Sequence, residues 1–169
     1  MGDEKVAPTY AEVQKAILAF HEKWRRPGIE DLPSRLSCVS FKDPVEWARL
    51  WAEDGELQKH SRKTGVYFFF DTDQNLLYIG SAQVIGNRLY QHFHVPGSPP
   101  PRPLPEWVEK EKVQYVAILD VPDVCWFEAP AIEAYLIKAL STTTRVHSRW
   151  VTSALRRLRC ERYAAEFLC

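Results

Sequence analysis

The chain has 169 residues, 46% of them hydrophobic and 26% charged, which fits one soluble globular domain or one domain with an accessory segment. Its 22 lysines and arginines balance 22 aspartates and glutamates, so there is no global basic signature for nucleic acid, and any such contact must rest on local charge. No uncharged apolar run reaches the length of about 18 residues that a membrane span needs, and the four cysteines, Cys38, Cys125, Cys160 and Cys169, lie too far apart for metal-ligand spacing.

The opening GDEKVAP is acidic and lacks a hydrophobic signal region. With the cysteines read as reduced thiols, this predicts an intracellular, cytoplasmic protein. Thr9-x-x-Glu12 forms a capping box, in which hydroxyl and carboxylate satisfy free backbone N–H groups at a helix start. Val13, Ala16, Ile17, Phe20 and Trp24 follow at helical spacing and predict a helix docked on the body of the domain. Arg25 to Arg35 reads as a loop by its proline and glycine, and Ser40 to Lys42 as a short extended piece. Asp43 as cap and Pro44 at the first position start a second helix, with Trp47, Leu50 and Trp51 on its apolar face and Gly55 as its stop. Gln58 to Lys63 is a polar, basic connector, in which Lys63 is a candidate phosphate contact.

The stretch Gly65 to Phe93 is the most informative. Val66 to Phe70 and Leu76 to Ile79 are apolar, β-forming runs on either side of the polar DTDQN, which predicts a hairpin. Pairing Phe70 with Asn75 across a four-residue turn would set Tyr67 directly opposite Tyr78, with both hydroxyls on one face. A slip of one residue would send them to opposite faces. From about Gln83 the spacing turns helical, with Ile85, Leu89 and Phe93 on one stripe and Arg88 and His92 four apart on a neighbouring face.

A proline-dense loop, HVPGSPPPRPLPEW, comes next and predicts a stiff surface segment, with Trp107 and Val108 beginning the return to the core. Val113 to Leu119 reads as a third strand. Phe127 to Leu140 reads as a helix that tolerates Pro130 in its first turn and is apolar almost all round, hence buried. Glu128 suits the positive end of that helix. Glu133 lies mid-helix, and a buried carboxylate there needs a partner, either Arg88 or a divalent cation. A last helix capped by Thr152 or Ser153 carries Arg156, Arg157, Arg159 and Arg162, with Arg145 and Arg149 just before it. This run is either a solvated face or a phosphate-contacting one.

Gly65-Val66-Tyr67, then Tyr78-Ile79-Gly80, then Arg88 and His92, closely resemble the GIY-YIG endonucleases, with Val66 in place of the usual isoleucine. The ordered set extends over roughly Thr64 to Trp150. The resemblance implies an α/β (α+β) fold: a small three-stranded antiparallel sheet flanked by helices, over residues 64–150. To it are added an N-terminal helical extension (1–63) and a C-terminal basic helix (151–169).

The resemblance further implies hydrolysis of phosphodiester bonds in DNA with Mg²⁺ or Mn²⁺ held by Glu133. Tyr67 would be the base, His92 its assistant, Tyr78 an orienting hydroxyl, Arg88 the phosphate clamp and Gly80 a point of close backbone passage into the following helix. The family commonly carries an asparagine after the glutamate. Here Thr142 to Ser148 contains none, and His147 or Ser148 would have to brace the site instead. Lys63, Arg145, Arg149, Arg156 and Arg157 are the candidate DNA contacts. Two other readings stand beside this one: a non-catalytic nucleic-acid-binding or regulatory module that keeps the fold, and an interaction adaptor built on the first helix and the proline loop.

Overall fold

In the computed structural model, which describes residues 7–25, 27–40, 49–52, 55–93, 104, 108 and 110–140, Gly65–Phe70 is a strand buried at every position. The cause is its place inside a sheet. Four strands, β1 (Ser37–Ser40), β2 (Gly65–Phe70), β3 (Leu76–Ala82) and β4 (Tyr115–Asp120), pair antiparallel in the order β1-β4-β2-β3. A strand with neighbours on both sides and packed faces has no use for alternation, so GVYFFF runs apolar without a break. Among the described residues, three helices with both ends in view accompany the sheet: α1 (Tyr10–Trp24), α2 (Ile85–Phe93) and α3 (Ala129–Leu140). None of the described helices is long and apolar enough to cross a membrane.

The sheet therefore has four strands where three were expected. The added strand, β1, lies at Ser37–Ser40 and pairs Val39 with Val116 of β4; it shares Ser40 with the extended piece expected at Ser40 to Lys42, whose other residues lie outside the described ones. Its serines and single buried valine carry too little apolar patterning to announce a strand. At the other edge the chain covers β3 with its own N-terminal segment. Leu76 N–H donates to Pro8 O (2.7 Å) and Tyr10 N–H to Gln74 O (3.1 Å).

The hairpin register differs from the expected one by two residues. Tyr67 pairs with Gly80, and Phe69, not Tyr67, lies opposite Tyr78. The Asp71 carboxylate accepts from the backbone N–H of both Asp73 (2.9 Å) and Asn75 (2.8 Å), and Gln74 takes the left-handed conformation at φ 62°. Asp71 N–H donates to Asn75 O at 3.0 Å, which closes a tighter loop and leaves a bulge beyond Phe69. A two-residue shift preserves the alternation of faces, so Tyr67 and Tyr78 still share one side.

α1 begins with the expected capping box: Thr9 N–H donates to the Glu12 carboxylate (2.7 Å), and Glu12 N–H to Thr9 Oγ1 (3.4 Å). Val13, Ile17 and Phe20 form its buried face against α3, where the rings of Phe20 and Tyr135 lie 5.2 Å apart. Trp24 is not part of that face but is 59% exposed. The inward position at this end belongs to Arg25, whose Nε donates to the Glu128 carboxylate at 3.0 Å in an almost fully enclosed pair. Glu128 thus has a partner beyond the helix dipole.

α3 starts two residues later than Phe127, because Asp123–Glu128 forms a tighter 3₁₀ segment broken at Cys125 (φ −120°, ψ 17°). Pro130 sits in its first turn, as expected. Cys38 and Cys125 are both free thiols. The start of the second helix at Asp43, the proline loop apart from Leu104, Trp107, and everything from Ser141 onward lie outside the described residues. The latter includes Arg145, His147, Ser148, Arg149, Arg156, Arg157 and the C-terminal helix.

Candidate active site

The hairpin and α2 bring three of the candidate side chains into one buried cluster. The Tyr67 hydroxyl lies 2.8 Å from His92 Nε2, with both residues enclosed. The rings of Tyr67, Tyr78 and His92 form a near-equilateral group, with centroids 5.9 Å apart for the two tyrosines, 5.7 Å for Tyr67–His92 and 5.9 Å for Tyr78–His92. Phe69 packs beneath, stacked on Tyr78 at 5.6 Å and edge-on to His92 at 6.0 Å. This arrangement follows from two periodicities. Residues 67 and 69 share a strand face with 78 and 80, and His92 is one turn beyond Arg88 on the helix that follows β3.

Gly80 makes the cluster possible. It stands opposite Tyr67, and a Cβ at this position would lie 2.5 Å from the Tyr67 hydroxyl oxygen and 2.8 Å from a Tyr78 ring carbon. The glycine therefore gives room to the two phenols. The expected close backbone passage into α2 occurs instead at Gly86, whose added Cβ would meet Ser61 O at 2.6 Å.

Arg88 and Glu133 complete the set. The positive charge of Arg88 pulls the Tyr67 phenol down and the negative charge of Glu133 pushes it up, so both act on the same hydroxyl. Neither charge governs the outcome. Burial is the largest influence, followed by the neighbouring Tyr78 phenol, and together they hold Tyr67 well above the ordinary phenol value of 10.0. Glu133 is enclosed at 7% exposure, and its Oε2 accepts the hydroxyl of Ser81 at 2.5 Å. Its carboxylate is a hard oxygen donor of the kind Mg²⁺ and Mn²⁺ prefer. Among the described residues there is no group of three or more histidines, cysteines, aspartates or glutamates that could hold a metal ion.

Ser81 is a site residue that sequence reasoning missed. The second strand was expected to end at Ile79, whereas β3 continues to Ala82 and carries Ser81 into reach of α3. His60 was missed as well. It stood in a connector read as solvated, yet it is 3% exposed and its Nδ1 lies 2.8 Å from the Asp120 carboxylate. Lys63 is exposed as expected, and its ammonium pairs with Asp123 at 3.3 Å.

Comparison with curated proteins and with solved structures returns no match. The model of the GIY-YIG catalytic domain matches residues 63–146, a stretch that holds both tyrosines, Arg88, His92 and Glu133. By that domain, and by the antiparallel sheet that carries its two motifs, the chain belongs to the GIY-YIG endonuclease superfamily.

Proposed function

We propose that this protein is a metal-dependent endonuclease that hydrolyses phosphodiester bonds in DNA. The observation that carries the reading is the buried Tyr67–His92 hydrogen bond of 2.8 Å, set where Arg88 and Glu133 both act on the same phenol. Scission of a phosphodiester needs an activated water, neutralisation of charge at the transition state and help for the leaving oxygen. Arg88, permanently charged and only partly buried, binds the phosphate. Tyr67 takes a proton from water while its own proton passes to His92 Nε2. This coupling is what allows so buried a phenol to act as a base. Tyr78 orients water or phosphate through its hydroxyl, and Gly80 keeps both rings in place.

Glu133 would hold Mg²⁺ or Mn²⁺, with the Ser81 hydroxyl bonded to its carboxylate and helping to orient it. Such a cation, when bound, supplies Lewis-acid stabilisation of the phosphate and of the leaving 3′-oxygen. His147 or Ser148 would brace the site from the segment after α3. Lys63, Arg145, Arg149, Arg156 and Arg157 would contact the DNA backbone. In this reading residues 1–63 support a catalytic core at 64–150, and 151–169 add a basic helix.

A second reading, a nucleic-acid-binding module without catalysis, is favoured by one observation: burial drives Tyr67 away from the range of an effective base. Incubation of supercoiled, linear, single-stranded and branched DNA with Mg²⁺ or Mn²⁺ separates the two. The endonuclease reading predicts cation-dependent nicking by the native chain and none by Glu133→Ala. Binding without nicking on every substrate would favour the module.

A further inference from the structure

The strongest feature outside the catalytic cluster is the pair formed by His60 and Asp120. Nδ1 of His60 meets both Asp120 oxygens at 2.8 Å, while its Nε2 is buried and has no partner among the described residues. An apolar residue of similar volume would avoid that unmet nitrogen. The pair is therefore better explained by the geometry it fixes than by the stability it adds.

That geometry leads directly to α2. His60 opens a segment whose carbonyls cap the helix: Gly86 N–H donates to Ser61 O (3.1 Å) and Ile85 N–H to Lys63 O (3.0 Å). The first N–H groups of a helix have no partner within it, and here main-chain carbonyls of a separate segment take the place of a side-chain cap. Gly86 lets this segment lie against the first turn, with Ser61 O only 2.6 Å from where a Cβ would stand. The segment is in turn held at both ends, by His60 on Asp120 at the end of β4 and by the next residue, Val121, whose N–H donates to Thr64 O at 2.9 Å. Arg88 stands one turn beyond Ile85. His92, at the far end of the same helix, is tied to Tyr67. One end of α2 is thus fixed by the cluster itself and the other by the His60–Asp120 pair.

The geometry points to His60 and Asp120 as positioning residues that set the start of α2 and thereby aim Arg88 at the substrate phosphate. The inference rests on the endonuclease reading for its catalytic consequence, whereas the clamp on α2 is a property of the fold alone. Two substitutions at His60 separate position from stability. His60→Asn keeps a nitrogen donor where Nδ1 stands but leaves a void, whereas His60→Leu fills the space and has no donor. Asp120→Ala breaks the same pair from its more exposed side.

The experiment measures amide exchange at Ile85 and Gly86, thermal midpoint, and steady-state cleavage kinetics for native protein and the three variants. We expect His60→Leu and Asp120→Ala to speed exchange at those two amides by about tenfold or more. Their kcat should fall by on the order of tenfold to a hundredfold with KM little changed. His60→Asn should keep native exchange and kcat even where its thermal midpoint is the lower. Native exchange in His60→Leu and Asp120→Ala would overturn the clamp whatever the cleavage result. Fast exchange with native kcat would overturn its role in aiming Arg88. A native chain that cuts no substrate would end the endonuclease reading and the catalytic half of this inference, while the exchange rates alone would still decide the clamp.

Discussion

The Tyr67 hydroxyl and His92 Nε2, 25 positions apart in the chain, meet at 2.8 Å inside a ring of aromatic side chains. Each side chain is buried, and burial makes the bond between them matter. Tyr67→Phe removes the hydroxyl while keeping the ring. We expect it to lower stability by about 1–3 kcal/mol, seen in denaturant melts, because His92 Nε2 loses that hydrogen bond in an enclosed site. If the two act as one base, Tyr67→Phe and His92→Gln should each cost roughly 10²–10⁴ in rate. The double variant should then cost little more than either alone. Full additivity would separate their roles.

The same burial gives a pH dependence whose sign is fixed. The folded phenol is held well above 10.0, so it stays protonated where the unfolded one ionises. Its contribution to stability is complete below the unfolded value and is lost as pH rises beyond about 10. Denaturant melts through the alkaline range should fall more steeply for the native chain than for Tyr67→Phe. Tyr10 and Tyr90 are also raised by burial, and the comparison with Tyr67→Phe cancels their share.

Gly80→Ala tests the space beneath the phenols. Its Cβ would stand 2.5 Å from the Tyr67 oxygen, closer than real Cβ atoms come to a neighbour. The ring must move, at about 1–3 kcal/mol of stability. Cleavage should fall on the order of a hundredfold, as displacement of a reacting group by an ångström does. A native rate in Gly80→Ala would mean that the Tyr67 hydroxyl is not needed where it stands.

Arg25 and Glu128 join the end of α1 to the segment before α3, with side-chain exposures of 3% and 15%. Removal of one partner of such a pair strands the other charge in a site closed to water. Arg25→Met should therefore destabilise by about 3–5 kcal/mol, measured in urea melts, whereas the double variant Arg25→Met/Glu128→Gln should recover much of the loss. A small effect of Arg25→Met would mean that the pair opens to solvent and α1 is only loosely docked.

Much of this fold was legible in the residues because each signal was local. The capping box at Thr9, the periodicity of Val13, Ile17 and Phe20, the β-forming run at Val66–Phe70 and the stripe of Ile85, Leu89 and Phe93 each depend on neighbours a few positions away. The hairpin register was not legible to the residue, since it is set by how the Asp71 carboxylate gathers two backbone N–H groups. Of β1 only Ser40 was read as extended, because Ser37–Ser40 is a strand through its partner β4 and not through its own pattern. Ser81 and His60 escaped for a related reason. A serine on a strand and a histidine in a polar run look ordinary until the fold brings Glu133 and Asp120 to them.

The carboxylate of Glu133 carries the central claim, and Glu133→Gln tests it most directly. The amide keeps the volume and an oxygen able to accept the Ser81 hydroxyl, and it removes the charge that would hold a cation. Single-turnover cleavage should be measured for both proteins across a titration of Mg²⁺ or Mn²⁺, with DNA binding followed in parallel. A rate lowered by on the order of a thousandfold at every cation concentration, with binding and fold retained, is the predicted result. Cleavage by Glu133→Gln at the native rate would contradict it.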